Sequence, residues 1–261
     1  LASPKFIGGE SYGGFRAPKV ARRLINDEGI AINGLVVISP VLDFNRFNAR
    51  DLLRDVARLP SYAAVGMEKN GPLTAAQLAS VENYAQGEFI SDLLKGYGDA
   101  AALERLTTNV SRLTGLERGM VARLGGRVPV NVFRREIEAA QGRIVSLYDG
   151  TFSGLDPNPF SRDVQADDQL LRGLHAPLVT AMLEIYRTKL DWLPANARYQ
   201  FQNILANSQW NWGRQEEQNA ANDLARSLAL DANMRALIVH GRADLITPYF
   251  ESRMVLAQTP I

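Results

Sequence analysis

The sequence predicts a mixed α/β fold around a mostly parallel sheet, and three features predict it. Near the N-terminus a short strand runs directly into a glycine-rich turn and a helix. A continuous β-branched run follows that helix, and another apolar strand with its own turn and helix stands near the C-terminus. Between these flanks lies a long stretch of helical periodicity. The expected organisation is a core interrupted by a large helical cap insertion. Residues 1–47 make the first part of the core, 48–205 the insertion and 206–261 the second part. Three independent domains are a poorer account, because neither flank holds enough strands to stand alone.

Taken in order, Lys5-Phe6-Ile7-Gly8-Gly9 is the first strand signal. Pro18 suits the first turn of the helix behind it. Val20, Ala21, Leu24 and Ile25 share one face of that helix, and Gly29 marks its stop. The run Gly34-Leu35-Val36-Val37-Ile38-Ser39-Pro40 lacks alternation, which fits a strand covered on both faces. In the middle, residues 50–59, 74–95, 100–113 and 176–190 carry apolar side chains at i, i+3, i+4 spacing. Asn70-Gly71-Pro72 and Asp156-Pro157-Asn158-Pro159 punctuate them. Residues 215–230 read as an amphipathic helix and 234–240 as a strand. Gly241-Arg242-Ala243-Asp244 is a turn, and 248–258 is the closing helix.

Composition narrows the function classes. With 46% apolar and 22% charged residues in 261, the chain can bury a real core. Lys and Arg number 29 against 28 Asp and Glu, so no strong field favours a nucleic acid or a membrane as partner. Arg22-Arg23 and Arg134-Arg135 read as solvated helix faces. The absence of cysteine excludes disulfides, thiolate zinc sites and cysteine nucleophiles, without fixing a compartment. No apolar run approaches the roughly 20 residues that a spanning helix needs. No metal or organic cofactor is implied. The chain opens at Leu1 straight into what reads as a core strand, so a lost leader stays open.

Chemistry concentrates at Gly9-Glu10-Ser11-Tyr12-Gly13, a G-x-S-x-G pentapeptide. Such a serine sits on a strained strand-to-helix turn that projects its hydroxyl above the sheet. Flanking glycines permit the turn and the close approach of the next helix. The Tyr12 amide then falls at the helix start, where it can hold an oxyanion. Chance alone gives this pattern in roughly one chain in ten of this length, but the strand before it and the helix after it are what the motif demands. Asp244, in the turn after an apolar strand, belongs at the carboxyl end of that strand and so at the same sheet edge as Ser11. Serine before aspartate is the chain order of the α/β-hydrolase triad. A base must complete it, and only His175 and His240 exist. His240 reads as a packed strand residue and His175 as part of the helical insertion. The expected base therefore follows Asp244 by some tens of residues, beyond Ile261.

Gly9-Glu10-Ser11-Tyr12-Gly13-Gly14, followed by Pro18, resembles the active-site signature of serine carboxypeptidases in the α/β-hydrolase superfamily. Val239-His240-Gly241-Arg242-Ala243-Asp244-Leu245-Ile246-Thr247-Pro248 is similar to the segment that presents the family's catalytic Asp. Leu147-Tyr148-Asp149-Gly150 and Gly154-Leu155-Asp156 resemble a linking segment of bacterial members. The resemblance covers most of the chain and is specific at the first two motifs. It implies an α/β-hydrolase core with a mostly parallel sheet, interrupted by a large helical cap insertion. It implies Ser11 as nucleophile, Asp244 as the orienting acid, Tyr12 in the oxyanion hole, and Glu10 with Gly9 in substrate binding. Glu10 matches the family glutamate that binds the substrate's terminal carboxylate with a second glutamate. The implied substrate is a peptide with a free C-terminal carboxylate, and activity is often at acidic pH. Missing segments or a companion chain would complete sheet and triad. A periplasmic or secreted place is what the family favours, with the cytoplasm left open. An esterase or acyltransferase, or a non-catalytic binding scaffold, are the rival readings.

Overall fold

A computed structural model describes residues 3–47, 51–161, 168–192, 198–211 and 218–260. β1 (Phe6–Glu10) leads into α1 (Tyr12–Asn26) and then β2 (Gly34–Ile38). A helical stretch follows: α2 (Leu52–Glu68), α3 (Ala75–Tyr84), a π-helical turn at Ala85–Phe89, α4 (Ile90–Lys95), α5 (Ala100–Thr114), α6 (Arg118–Arg123) and α7 (Val130–Glu136). A small antiparallel pair, β3 (Arg143–Val145) and β4 (Ser153–Leu155), precedes α8 (Gln169–Lys189) and α9 (Ile204–Gln209). α10 (Ala221–Leu230), β5 (Arg235–Val239) and α11 (Tyr249–Ala257) follow.

β1, β2 and β5 form one parallel sheet in the order β1-β2-β5. Glu10, Ile38 and Val239 are in register at its carboxyl end, so the turns after all three strands leave the same edge. On one face Ile7, Leu35, Val37, Ala236 and Ile238 pack against Ala17, Ala21, Leu24 and Ile25 of α1 and Leu224 and Leu228 of α10. Small residues on α1 let the helix lie close to the strands. Cover on both faces was the expectation for β2, and the structure differs. Among the described residues the second face leaves Phe6, Ile38, Leu237 and Val239 exposed, because α1 and α10 lie together on the first.

The larger core gathers around α2. Leu59, Tyr62 and Val65 meet Phe89, Leu106, Val121 and Phe133, and Ala243, Leu245 and Phe250 join from the Asp244 turn and α11. Tyr62 and Phe133 stack at 4.1 Å between ring centroids. Gly66 lets α2 cross α5 closely, since a Cβ there would lie 2.2 Å from the Thr114 carbonyl oxygen. Local chemistry sets the helix ends. Asp51 and Asp99 accept N-terminal amides of α2 and α5, Thr74 and Gln77 form a capping box on α3, and Gly115 ends α5 in the left-handed region.

Several local readings need correction. Pro18 lies inside α1 rather than in its first turn, because the helix is started at Ser11 by the turn itself. Arg134 and Arg135 are buried, not solvated. Arg135 pairs with Asp156 at 2.9 Å, and Arg134 donates to the Val145 carbonyl at 3.1 Å, so polar partners offset their desolvation. The β3–β4 pair was not foreseen, as three-residue strands are too short to show alternation. Helical periodicity over 74–95 holds through the π-turn, while parts of the 50–59 and 215–230 readings, residues 50 and 215–217, lie outside the described residues.

Phe133→Ala should cost about 3–5 kcal/mol, the range for deleting a fully buried aromatic ring, since Phe133 is 0% exposed. Urea unfolding at an unchanged m-value measures it, and a loss below about 1 kcal/mol would show that the core closes over the gap.

Candidate active site

At the carboxyl end of β1 the chain reverses into α1 within one residue. Ser11 carries that reversal at φ 54° and ψ −114°, a region that residues with a Cβ rarely occupy. Four backbone hydrogen bonds hold it there. Its amide donates to the Ile38 carbonyl at 2.9 Å, and its carbonyl accepts from Gly14, Phe15 and Val41 at 3.0, 3.3 and 3.3 Å. Gly9 and Gly14 are steric requirements, whereas a Cβ on Gly13 would meet nothing within 4 Å. A Cβ on Gly9 would sit 2.1 Å from the Gly13 carbonyl oxygen, and one on Gly14 would sit 2.5 Å from the Pro40 Cβ. The Tyr12 amide belongs to the first turn of α1, where helical N–H groups lack intrahelical acceptors and the helix dipole favours negative charge.

Asp244 follows β5 in the turn expected for it and is buried. Its Oδ1 accepts the Ile246 and Thr247 amides at 2.9 and 3.0 Å, and its Oδ2 accepts the Thr247 hydroxyl at 2.7 Å. These three donors fix the carboxylate in one orientation. Its charge reaches Glu10, whose carboxyl is pushed above its ordinary range by partial burial first and by Asp244 second. Ser11, Tyr12, Glu10, Gly9 and Asp244 therefore share one sheet edge, as their strand positions predict.

The two histidines do not complete a triad here. The Thr247 carbonyl can only accept, so its 3.2 Å contact with His240 assigns the ring proton to Nδ1. Nε2 then accepts the Ser252 hydroxyl at 2.9 Å. Burial lowers the His240 pKa, against the opposing influence of Asp244. His175 is exposed on α8. Among the described residues neither histidine is hydrogen-bonded to Ser11.

Other side chains at this edge have no site role in the sequence reading. Ser39, next to Ser11 across the strand ends, also has a positive φ, 42°. Tyr148 lies close enough to Glu10, Asp244 and Asp168 for all three to oppose its ionisation, although burial is the larger cause of its raised pKa. Its segment is docked on the Asp244 turn by two backbone bonds, Leu245 to Leu147 and Gly150 to Ala243, both 2.9 Å. Asp168 braces that segment, accepting the Ser146 hydroxyl at 2.9 Å and the Leu147 amide at 2.7 Å. The Tyr148 hydroxyl accepts from Gln202 at 3.2 Å, and Trp210 Nε1 donates to the Tyr12 hydroxyl at 2.9 Å.

Among the described residues no group of three or more His, Cys, Asp or Glu side chains is arranged to hold a metal ion. Nor is any helix of the described residues long and apolar enough to cross a membrane. No protein-family model matches the chain, and neither a curated protein nor a solved structure matches it. The site's reading therefore rests on its own geometry.

Strain at Ser11 has a measurable consequence. Ser11→Gly should raise stability over Ser11→Ala by about 1 kcal/mol, because glycine tolerates a positive φ that costs other residues of order 1–3 kcal/mol. Paired denaturant curves check this, and equal midpoints would mean that the turn relaxes when the side chain is cut back.

Proposed function

We propose that this chain carries the nucleophile of a serine carboxypeptidase-like α/β-hydrolase, which releases C-terminal residues from peptides through an acyl-enzyme on Ser11. One observation carries the reading: the strained Ser11 turn, closed by Gly9 and Gly14, where a Cβ would collide with the Gly13 carbonyl and with Pro40. Backbone strain of this kind persists only where surrounding structure over-determines it, and it clusters at reacting groups.

In the proposed reaction the Ser11 hydroxyl attacks the last peptide carbonyl and passes its proton to a histidine base, which neither described histidine supplies in this arrangement. The Tyr12 amide, at the positive end of α1, stabilises the developing oxyanion. Collapse of the tetrahedral species breaks the peptide C–N bond, the leaving amine takes a proton from the base, and water later hydrolyses the ester. Asp244, fixed by its three donors, is suited to orienting a histidine base. Glu10 in its protonated form can donate to the substrate's terminal carboxylate, with Gly9 leaving the backbone room beside it.

A non-catalytic scaffold is the second reading, and the occupation of both His240 ring nitrogens by Thr247 and Ser252 favours it. Turnover separates the two. Blocked dipeptides with a free C-terminal carboxylate should be cleaved, their amides should not, and Ser11→Ala should abolish release while leaving the fold intact. Equal cleavage of esters and amidated peptides supports an esterase or acyltransferase instead. No turnover in folded protein supplied with a histidine base for Ser11 supports the scaffold.

The Glu10 role predicts a pH dependence with a definite sign. Protonated Glu10 donates to the substrate carboxylate and ionised Glu10 repels it, so KM should rise as pH climbs through the raised Glu10 pKa. Glu10→Gln, neutral at every pH, should flatten that rise. A KM profile unchanged by the substitution would remove Glu10 from carboxylate recognition.

A further inference from the structure

Residues 198–211 are tied at two points to residues beside the candidate site. Gln202 donates to the hydroxyl of Tyr148, the residue set against Glu10 and Asp244. Eight residues on, Trp210 donates to the hydroxyl of Tyr12, which follows Ser11 directly. The Trp210 ring also stands edge-on to Tyr12 at 5.9 Å, and the Arg16 guanidinium lies over it at 5.4 Å. Tyr12 adjoins Ser11 in the chain and Tyr148 stands on the segment docked on the Asp244 turn, so both tethers end beside residues of the site. Between them the segment packs poorly. Every residue from 202 to 210 is exposed, with Ile204 at 78% and Leu205 at 65%. A segment with few buried contacts, pinned by exposed hydrogen bonds, belongs to the low-stability end of a structure and opens readily.

We infer that Gln202 and Trp210 make this segment a two-point strap that sets the size of the group able to reach Ser11. A single amino acid or short peptide passes with both tethers made. A longer or bulkier chain reaches the serine only while Tyr148 or Tyr12 has released its partner. Gln202 and Trp210 are accordingly specificity-determining residues for short substrates. The catalytic meaning of this rests on the reading of Ser11 as nucleophile, whereas the steric claim does not.

The absence of cysteine permits a test that needs no turnover. Ser11→Cys places a single thiol at the site, and its alkylation is timed with iodoacetamide and with a maleimide on a long polyethylene glycol chain. Adding Gln202→Ala or Trp210→Ala should leave the iodoacetamide rate within about twofold. The bulky reagent should speed up about five- to tenfold, the change in open population that losing one net hydrogen bond allows. Gln202 is exposed, so its variant carries the test if Trp210→Ala does not fold. Equal acceleration of both reagents, or of neither, overturns the strap. Fluorophosphonate labelling of the parent chain reports separately on Ser11: size selection without labelling upholds the strap and shows Ser11 without an assembled base.

Discussion

The Ser11 carbonyl accepts from Gly14, Phe15 and Val41, and this convergence of amides on one oxygen underlies the rest of the site. It fastens the end of β1, the first turn of α1 and the segment after β2 at a single atom. The Ser11 amide adds a bond to Ile38, so the serine cannot relax toward an ordinary conformation without breaking ladder and helix together. The cost of a positive φ is therefore spread over the sheet and α1. Gly14 completes the constraint by admitting Pro40 where a side chain would stand.

A second junction ties the helical stretch to this edge. The Asp244 turn shares Ala243 and Leu245 with the core around α2, and its backbone pairs with residues 147–150. Gly150 is tight against Val65, where a Cβ would lie 2.4 Å from the Val65 Cγ2. Packing of α2 thus fixes the loop that carries Tyr148, and the same loop fixes the turn that carries Asp244. The position of the acid depends on helices far from it in sequence.

How much of this was legible follows from the range of each interaction. The strand signals at 5–9, 34–40 and 234–240 and the G-x-S-x-G turn could be read because their physics is local. A strand needs a run of β-branched residues, and a sharp turn needs glycine at fixed offsets. Arg134 and Arg135 read as solvated because their partners, Val145 in β3 and Asp156 just after β4, come from a short strand pair that the helical pattern does not reveal. Tyr148 with Gln202, and Tyr12 with Trp210, stand 54 and 198 residues apart, so no window of sequence brings them together. Cover on both faces of β2 rests on the lack of alternation in its run, and that pattern does not say on which face the helices lie.

The electrostatics of the edge give Glu10 and Asp244 different characters from the same residue chemistry. Asp244 is buried with three donors on its oxygens, so its geometry is already committed to the turn. Glu10 stands at the open face of the sheet and yields to the repulsion between them, which joins burial in raising its pKa. A carboxyl that accepts a proton in this setting becomes a donor. On the proposed carboxypeptidase reading, a substrate carboxylate meets Asp244 at this edge, and a protonated Glu10 would supply the donor it needs. On that reading the proton on Glu10 would turn a repulsive edge into one that holds an anion, with the acidity of the medium controlling the change.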